Sequence, residues 1–178
     1  MLQSDRIKED AMQRGHQDHR PTPERRDRLI QERIHDPYKW REKMADPAVC
    51  PTCRAVYEDG RWRWGQPPVG AQPIVCQACE RIADRCPAGV VTLTGSYVAG
   101  HREEFLALIR HQEEHEKSKH PLNRIMEIRD TADGIEVTTT DIHLPRRIGE
   151  ALRRTRHGDL DLHYDEGEYF ARVRWHAD

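Results

Sequence analysis

Two pairs of cysteines carry the clearest chemical signal in the sequence. Residues 50–53 read CPTC and residues 76–79 read CQAC, so the chain has two CxxC motifs with 22 residues between them. A CxxC turn brings two thiolates to one side of a tight loop, and two such turns at this spacing can converge on one tetrahedral ion. Four thiolates suit Zn²⁺ and leave no coordination position open for water. We therefore expect a structural Zn²⁺ site, rather than a catalytic one, formed by Cys50, Cys53, Cys76 and Cys79.

Paired CxxC motifs also occur in disulfide frameworks and in thioredoxin-like redox sites. A redox CxxC needs a strand before it and a long helix after it, within a larger α/β domain. Disulfides conflict with a cytoplasmic location, which we expect because the sequence has no apolar run long enough for a membrane span and no apolar leader near Met1. Zinc is therefore the favoured interpretation. The fifth cysteine, Cys86, is expected to pack near the zinc ribbon that these motifs form, and a spare ligand or a reactive thiol are the alternatives.

The segment between the two motifs predicts how the site is built. Residues 54–64 read RAVYEDGRWRW, in which Asp59-Gly60 favours a type I′ turn between two short alternating strands. A return rich in Pro and Gly follows at residues 65–73. We interpret residues 47–89 as a zinc ribbon, whose metal replaces the hydrophobic core that about 40 residues cannot supply.

Tryptophan and arginine alternate in the second of these strands. Strand geometry places Trp62 and Trp64 on one face, and Arg61 and Arg63 on the other. Such a pattern can stack unpaired bases and contact phosphates. Alternatively, the indoles cover the ribbon against the next domain, which small ribbons generally require of their large side chains.

The remainder of the chain, residues 90–178, has the pattern of an α+β domain. The predicted order is a strand at 90–94, a helix within 101–120, a hairpin of 125–129 with 135–139 across Asp133-Gly134, a helix after Thr140-Asp141, and two strands around 160–164 and 171–175. This βαββαβ order with an extra strand predicts a ferredoxin-like sheet. The second helix carries four arginines opposite its apolar side, and they either contact phosphates or form a solvated face: Arg146, Arg147, Arg153 and Arg154.

One further motif matches a metallopeptidase pattern. Residues 111–115 read HQEEH, which fits the HxxEH signature, but the helix is short and highly charged and has no second ligand motif. The chain contains no phosphate-binding GxxxxGK[ST] or GxGxxG motif and no GxSxG nucleophile motif. We therefore predict that the protein is not an enzyme.

Composition limits the remaining functions. The 178 residues include 29 Lys or Arg and 31 Asp or Glu, and the mean hydropathy is −0.94. The net charge of −2 excludes a globally basic nucleic-acid binder, so any such role requires a local patch. Residues 1–46 are mostly charged and too poor in apolar groups to fold alone, so we predict a partly disordered or helical arm that a partner could order.

Three features of the sequence carry a resemblance: the two CxxC motifs, called knuckles below, the RIADRCPAG segment and the later VTTTDIHLPRRIGEAL segment. Together they resemble a small bacterial relative of the NMD-three family of large-ribosomal-subunit export adaptors. The resemblance covers residues 47–178. It implies zinc on the four cysteines of the CxxC motifs and a ribosomal partner. The β-barrel modules and transport-signal tail of the larger family members have no counterpart here, so the ribosomal role is carried over as a hypothesis.

Two functions follow from these observations. The first is a zinc-ribbon binding module that associates with RNA or a ribosomal subunit through its arginines and tryptophans. The second is a protein-interaction adaptor, in which the N-terminal arm orders on a partner and zinc only maintains the fold. Neither function involves a membrane.

Overall fold

A computed structural model describes residues 36–39, 44–165 and 168–178. These residues contain four helices and nine strands, and the strands form two mixed sheets. The predicted α+β class is therefore confirmed. Most of the predicted arm, residues 1–46, lies outside the described residues.

The smaller sheet is built from four short strands around the first CxxC motif. They are β1 (Ala48–Val49), β2 (Val56–Glu58), β3 (Arg61–Arg63) and β4 (Gln72–Pro73), in the lateral order β3-β2-β1-β4. The β2–β3 turn has left-handed φ angles at both central residues, 52° at Asp59 and 75° at Gly60, as the predicted type I′ hairpin requires. Helix α1 (Gln77–Asp84) follows, and its C-cap residue, Arg85, also has a left-handed φ of 52°.

The larger sheet has five strands in the order β6-β7-β5-β9-β8, with β5 and β9 parallel and the other pairs antiparallel. Their bounds are β5 (Gly89–Thr94), β6 (Ile125–Thr131), β7 (Gly134–Thr139), β8 (Asp159–Tyr164) and β9 (Ala171–His176). A ferredoxin-like sheet places its fourth strand, here β8, directly beside its first, here β5. The last strand, β9, occupies that position instead, so the predicted ferredoxin-like order is not confirmed.

The core of this domain lies between the sheet and helices α2 (Ser96–Gly100), α3 (Arg102–Lys119) and α4 (His143–Thr155). Strand β5 buries every second residue, which matches its β-branched alternation, and α4 buries its apolar side as predicted. The largest core side chain is that of Trp175, which is 1% exposed and packs 5.2 Å from the Phe105 ring. Each such fully buried side chain contributes about 1.5–3 kcal/mol to stability.

The β6–β7 hairpin forms as predicted, but its turn differs by one residue. The loop is Ala132-Asp133, and Gly134 already pairs with Thr131 and with Thr94 as the first residue of β7. A Cβ at position 134 would lie 2.0 Å from the Leu93 carbonyl oxygen, so glycine is required here by close packing of two strands. None of the helices in the described ranges has the length and apolar character that a membrane span needs.

Candidate metal centre

The four cysteines of the CxxC motifs converge on one point. The sulfur atoms of Cys50, Cys53, Cys76 and Cys79 all lie within 4.8 Å of one another. Three of these residues are buried, and Cys53 is partly exposed. Over the described part of the chain, this is the one group of three or more metal-ligating side chains close enough to hold an ion.

Local backbone geometry places each pair of sulfurs. In the first knuckle, the Cys50 N–H donates to the Ala55 carbonyl at 2.8 Å, and the Arg54 N–H donates to the Cys50 carbonyl at 2.9 Å. Arg54 has a φ of 67°, which closes this turn. In the second knuckle, Cys76 is the N-cap of α1 and Cys79 lies in its first turn. A helix N-terminus favours thiolates, because its free N–H groups and dipole are positive there.

Zinc fits this arrangement. A tetrahedral ion with Zn–S bonds of about 2.3 Å requires sulfur–sulfur distances of about 3.8 Å. The Cys53 and Cys76 sulfurs are 3.7 Å apart. All five cysteines are free, so the disulfide alternative has no counterpart in the described structure. When bound, the ion would link the two knuckles and supply the cohesion that so small a sheet lacks.

The thiols of the cluster differ in how easily they ionise. Burial opposes ionisation of Cys50, but N–H donors from Cys53 and Cys76 outweigh it and lower the pKa of Cys50 to about 6. Burial raises the pKa of Cys76 and of Cys79 above the usual range for a thiol. Full ionisation of the cluster therefore requires a cation to compensate the charge.

Arg124, which directly precedes β6 of the larger sheet, supplies one such cation. Its side chain is buried, and its guanidinium donates hydrogen bonds to three sulfurs: to Cys53 at 3.0 Å, to Cys76 at 3.4 Å and to Cys79 at 3.4 Å. Burial lowers the pKa of Arg124, but its bonds to Cys79 and Cys53 outweigh burial and raise this pKa above the usual range. The guanidinium therefore stays charged.

The segment that carries Arg124 covers the cysteine cluster. Residues 121–124, PLNR, lie between α3 and β6, and Leu122 packs against the cluster, as Trp62 does. Arg124 is fixed on both sides, because its Nε donates to the Pro121 carbonyl at 2.5 Å and its backbone N–H donates to the Thr140 hydroxyl at 3.0 Å. The candidate metal centre thus lies between the four-stranded sheet and the five-stranded sheet.

The ribbon residues proposed to bind nucleic acid divide into covered and exposed groups. Trp62 is partly buried against the cysteine cluster. Trp64 is 39% exposed, and its indole N–H donates to the Lys117 carbonyl at 2.6 Å, at the end of α3. Arg61 and Arg63 are exposed, and Arg63 forms an ion pair with Glu58. Trp62 therefore packs against the cysteine cluster, whereas Trp64, Arg61 and Arg63 are exposed.

The four arginines of α4 do not all lie at the same end of α3. Arg146 pairs with Glu150 at 2.8 Å, and Arg147 pairs with Glu116 at 3.5 Å. Arg153 and Arg154 lie in the exposed last turn of α4. This turn lies near the start of α3, because its neighbour Arg156 pairs with Glu104, whereas the ribbon touches α3 at Lys117. Thirteen residues of helix separate those two points, or about 20 Å.

The HxxEH motif does not assemble a second metal site in the described structure. His111 and Glu114 are exposed, and His115 lies 3.1 Å from the Lys119 ammonium. Glu113, which lies inside the motif, accepts the Ile125 N–H at 2.8 Å and so fixes the start of β6. The sulfur ligands were predictable from the sequence, whereas Arg124 and the basic end of α3 were missed.

Comparison of the chain with protein-family models, curated proteins and solved structures finds no match. The resemblance to the NMD-three family therefore stays a prediction.

Proposed function

We propose that the protein is a non-enzymatic binding module organised around one structural Zn²⁺ in a zinc ribbon. The convergence of four sulfurs within 4.8 Å carries this proposal. Four protein ligands complete a tetrahedral shell and leave no position for a substrate or an activated water. The zinc would hold the two knuckles together and present a stable ribbon beside the five-stranded sheet.

Cobalt substitution tests the zinc proposal. Co²⁺ added to metal-free protein should produce the intense sulfur-to-metal absorption bands of a tetrathiolate site, and equimolar Zn²⁺ should remove them. The Cys76→Ser variant should lose most of this absorption, whereas Cys86→Ser, a matched change at the exposed fifth cysteine, should leave it unchanged. Equal spectra for the two variants would exclude the four-sulfur site.

We propose single-stranded RNA as the partner, bound along the exposed edge of the ribbon and the end of α3. Arg61 projects from β3, and Lys117 and Lys119 close α3 where Trp64 meets it. Arginine and lysine contact phosphates, and the exposed part of the Trp64 indole offers a stacking surface. We define these four residues as the ribbon-edge patch.

Charge reversal tests the partner. The double variant Arg61→Glu/Lys117→Glu should weaken binding to a fluorescent single-stranded RNA at least tenfold and reduce the salt dependence of log Kd by about 0.7 for each phosphate that the protein no longer neutralises. The matched control is Arg153→Glu/Arg154→Glu, which carries the same charge change at the far end of α4 and should have less effect. Equal weakening in both variants would refute a binding site at the ribbon edge.

The ribosome is the specific RNA-containing partner that we propose. The full chain should sediment with ribosomal subunits in a sucrose gradient of cell extract, and the Arg61→Glu/Lys117→Glu variant should remain at the top. If the unmodified chain stays at the top of the gradient, apart from the subunits, at low salt, the ribosome is refuted as the partner. The assay with fluorescent RNA would still test RNA binding.

We also propose that the five-stranded sheet is a modified ferredoxin-like sheet. Without β9, the remaining strands follow the lateral order β6-β7-β5-β8, in which the fourth strand lies beside the first. The β8–β9 hairpin would then be the extra element, with β9 inserted next to β5.

An adaptor role is the second candidate, because a described part of the arm, residues 36–39, already docks on α1. The Arg81 side chain is 2% exposed, and it pairs with Asp36 at 2.5 Å and lies 4.3 Å from the Tyr38 ring. Tyr38 also donates to Asp84 at 2.8 Å. Deleting residues 1–34 keeps these contacts. If the adaptor role is right, this deletion abolishes partner capture and preserves zinc content, whereas unchanged capture would exclude it.

A further inference from the structure

We propose that Arg124 is a positioning residue of the metal centre, which holds both CxxC motifs in place and couples metal retention to the five-stranded sheet. The proposal rests on the zinc centre proposed above and concerns how that centre is retained.

The first reason for assigning this role to Arg124 is the charge of the metal centre. Zn²⁺ with four thiolates carries a net charge of −2, and a buried charge of this size is unfavourable without compensation. Arg124 is itself buried and contacts three of the four sulfurs. Hydrogen bonds between a cation and thiolates are charge-assisted, so they lower the energy of the anionic cluster more than neutral donors would.

Shape is the second reason. One terminal nitrogen of Arg124, Nη1, donates to Cys79, and the other, Nη2, donates to Cys53 and Cys76. A single planar group therefore reaches both knuckles at once. Lysine has the same charge but presents it at one point, so it cannot reproduce this fork.

Attachment is the third reason. Hydrogen bonds fix the Arg124 side chain and backbone. The Pro121 carbonyl accepts from the Arg124 Nε, and the Thr140 hydroxyl accepts from the Arg124 backbone N–H. The Thr140 N–H donates in return to the Arg124 carbonyl at 2.9 Å. Thr140 directly follows β7, so the sulfur contacts are anchored on the five-stranded sheet. Outer-shell groups of this kind typically change metal affinity by about 10–100-fold when they are removed.

The test compares zinc release from the full chain and three variants, each loaded with zinc and mixed with an excess of a chromogenic chelator. Arg124→Met should release zinc at least tenfold faster than the unmodified chain, because both charge and fork are removed. Arg124→Lys should fall between them. The control is Arg129→Met, which removes an arginine from β6, the strand that directly follows Arg124. Arg129 pairs with Glu136 at 2.7 Å and has no described bond to a sulfur, so this variant should release zinc within twofold of the unmodified rate.

Each outcome decides one point. Release from Arg124→Met at the unmodified rate would overturn the role of Arg124 while leaving the zinc centre intact. An unmodified chain that binds no zinc would instead refute the proposed function itself. If Arg124→Met does not fold, Arg124→Lys decides the matter, and release within twofold of the unmodified rate would overturn the proposal.

Hydrogen exchange tests the coupling separately. Removing zinc from the unmodified chain should speed amide exchange at Arg124 and Thr140 as well as in the ribbon. Faster exchange confined to residues 47–89 would overturn the link to the five-stranded sheet.

Discussion

The Thr140 hydroxyl should matter more than its size suggests, because it fixes the segment that covers the metal centre. It accepts the Arg124 N–H at 3.0 Å and donates to the Leu122 carbonyl at 2.5 Å. Thr140 is 4% exposed, so water cannot easily replace these bonds. The Thr140→Val substitution keeps the shape of the side chain and removes both bonds.

The loss of stability expected for Thr140→Val follows from the two groups that lose their partner, the Arg124 N–H and the Leu122 carbonyl. A buried donor or acceptor left without a partner costs about 1–3 kcal/mol. The Arg124 N–H is buried and the Leu122 carbonyl is partly buried, and the added methyl group recovers a fraction of a kcal/mol. We therefore expect Thr140→Val to lower the free energy of unfolding by about 2–3 kcal/mol.

Urea unfolding of the zinc-loaded chain, followed by circular dichroism, measures this loss. The neighbouring Thr139→Val variant is the matched control, because Thr139 is fully buried but its hydroxyl makes one bond, to the Asp141 carbonyl at 2.7 Å. It should lose about half as much stability. Thr140→Ser keeps the hydroxyl and should lose about 1 kcal/mol. Equal losses for Thr140→Val and Thr140→Ser would refute the role of the hydroxyl.

Three further predictions concern single side chains outside the metal centre. Burial, together with the charge of Glu116, raises the pKa of the Asp141 carboxyl group to about 7. The folded state therefore binds the carboxyl proton more tightly than the unfolded chain does, and the free energy of unfolding falls as pH rises from about 4 to about 7. Relative to Asp141→Asn, the unmodified chain should lose up to about 1.4 kcal/mol per pH unit over that range, and a pH-independent difference in urea unfolding would contradict this. Phe105→Ala should lower the free energy of unfolding by about 3–5 kcal/mol, because the ring is 1% exposed; a loss below about 1 kcal/mol would contradict the packing described. Trp64→Phe removes an exposed bond to Lys117 and should cost about 1 kcal/mol by the same assay without changing zinc content; loss of zinc would show that this indole supports the centre.

Local patterns predicted the parts of this structure that local chemistry controls. The Asp59-Gly60 turn and the alternation of β5 each depend on neighbours a few residues apart, and both formed as expected. The sulfur cluster belongs with them, because each CxxC motif fixes its own pair of thiols and the short hairpin between them limits where the second pair can lie.

Contacts between distant parts of the chain were not predictable in this way. Arg124 reaches Cys53 across 71 positions, and no motif indicates that an arginine after a helix will meet a thiol. The position of β9 beside β5 is likewise set by packing of the complete sheet, since an alternating strand pattern is the same in any lateral position. The pairing of Arg147 with Glu116 likewise depends on how α3 and α4 pack against each other.

The metal content of the purified chain is the most direct measurement of the proposed zinc centre. Elemental analysis combined with native mass spectrometry should find one zinc ion per chain, and acid should release the ion and leave the four CxxC cysteines open to thiol reagents. A folded chain that contains no zinc, and whose circular dichroism and thermal unfolding do not change when zinc is added, would contradict the proposal that a metal ion holds the ribbon together.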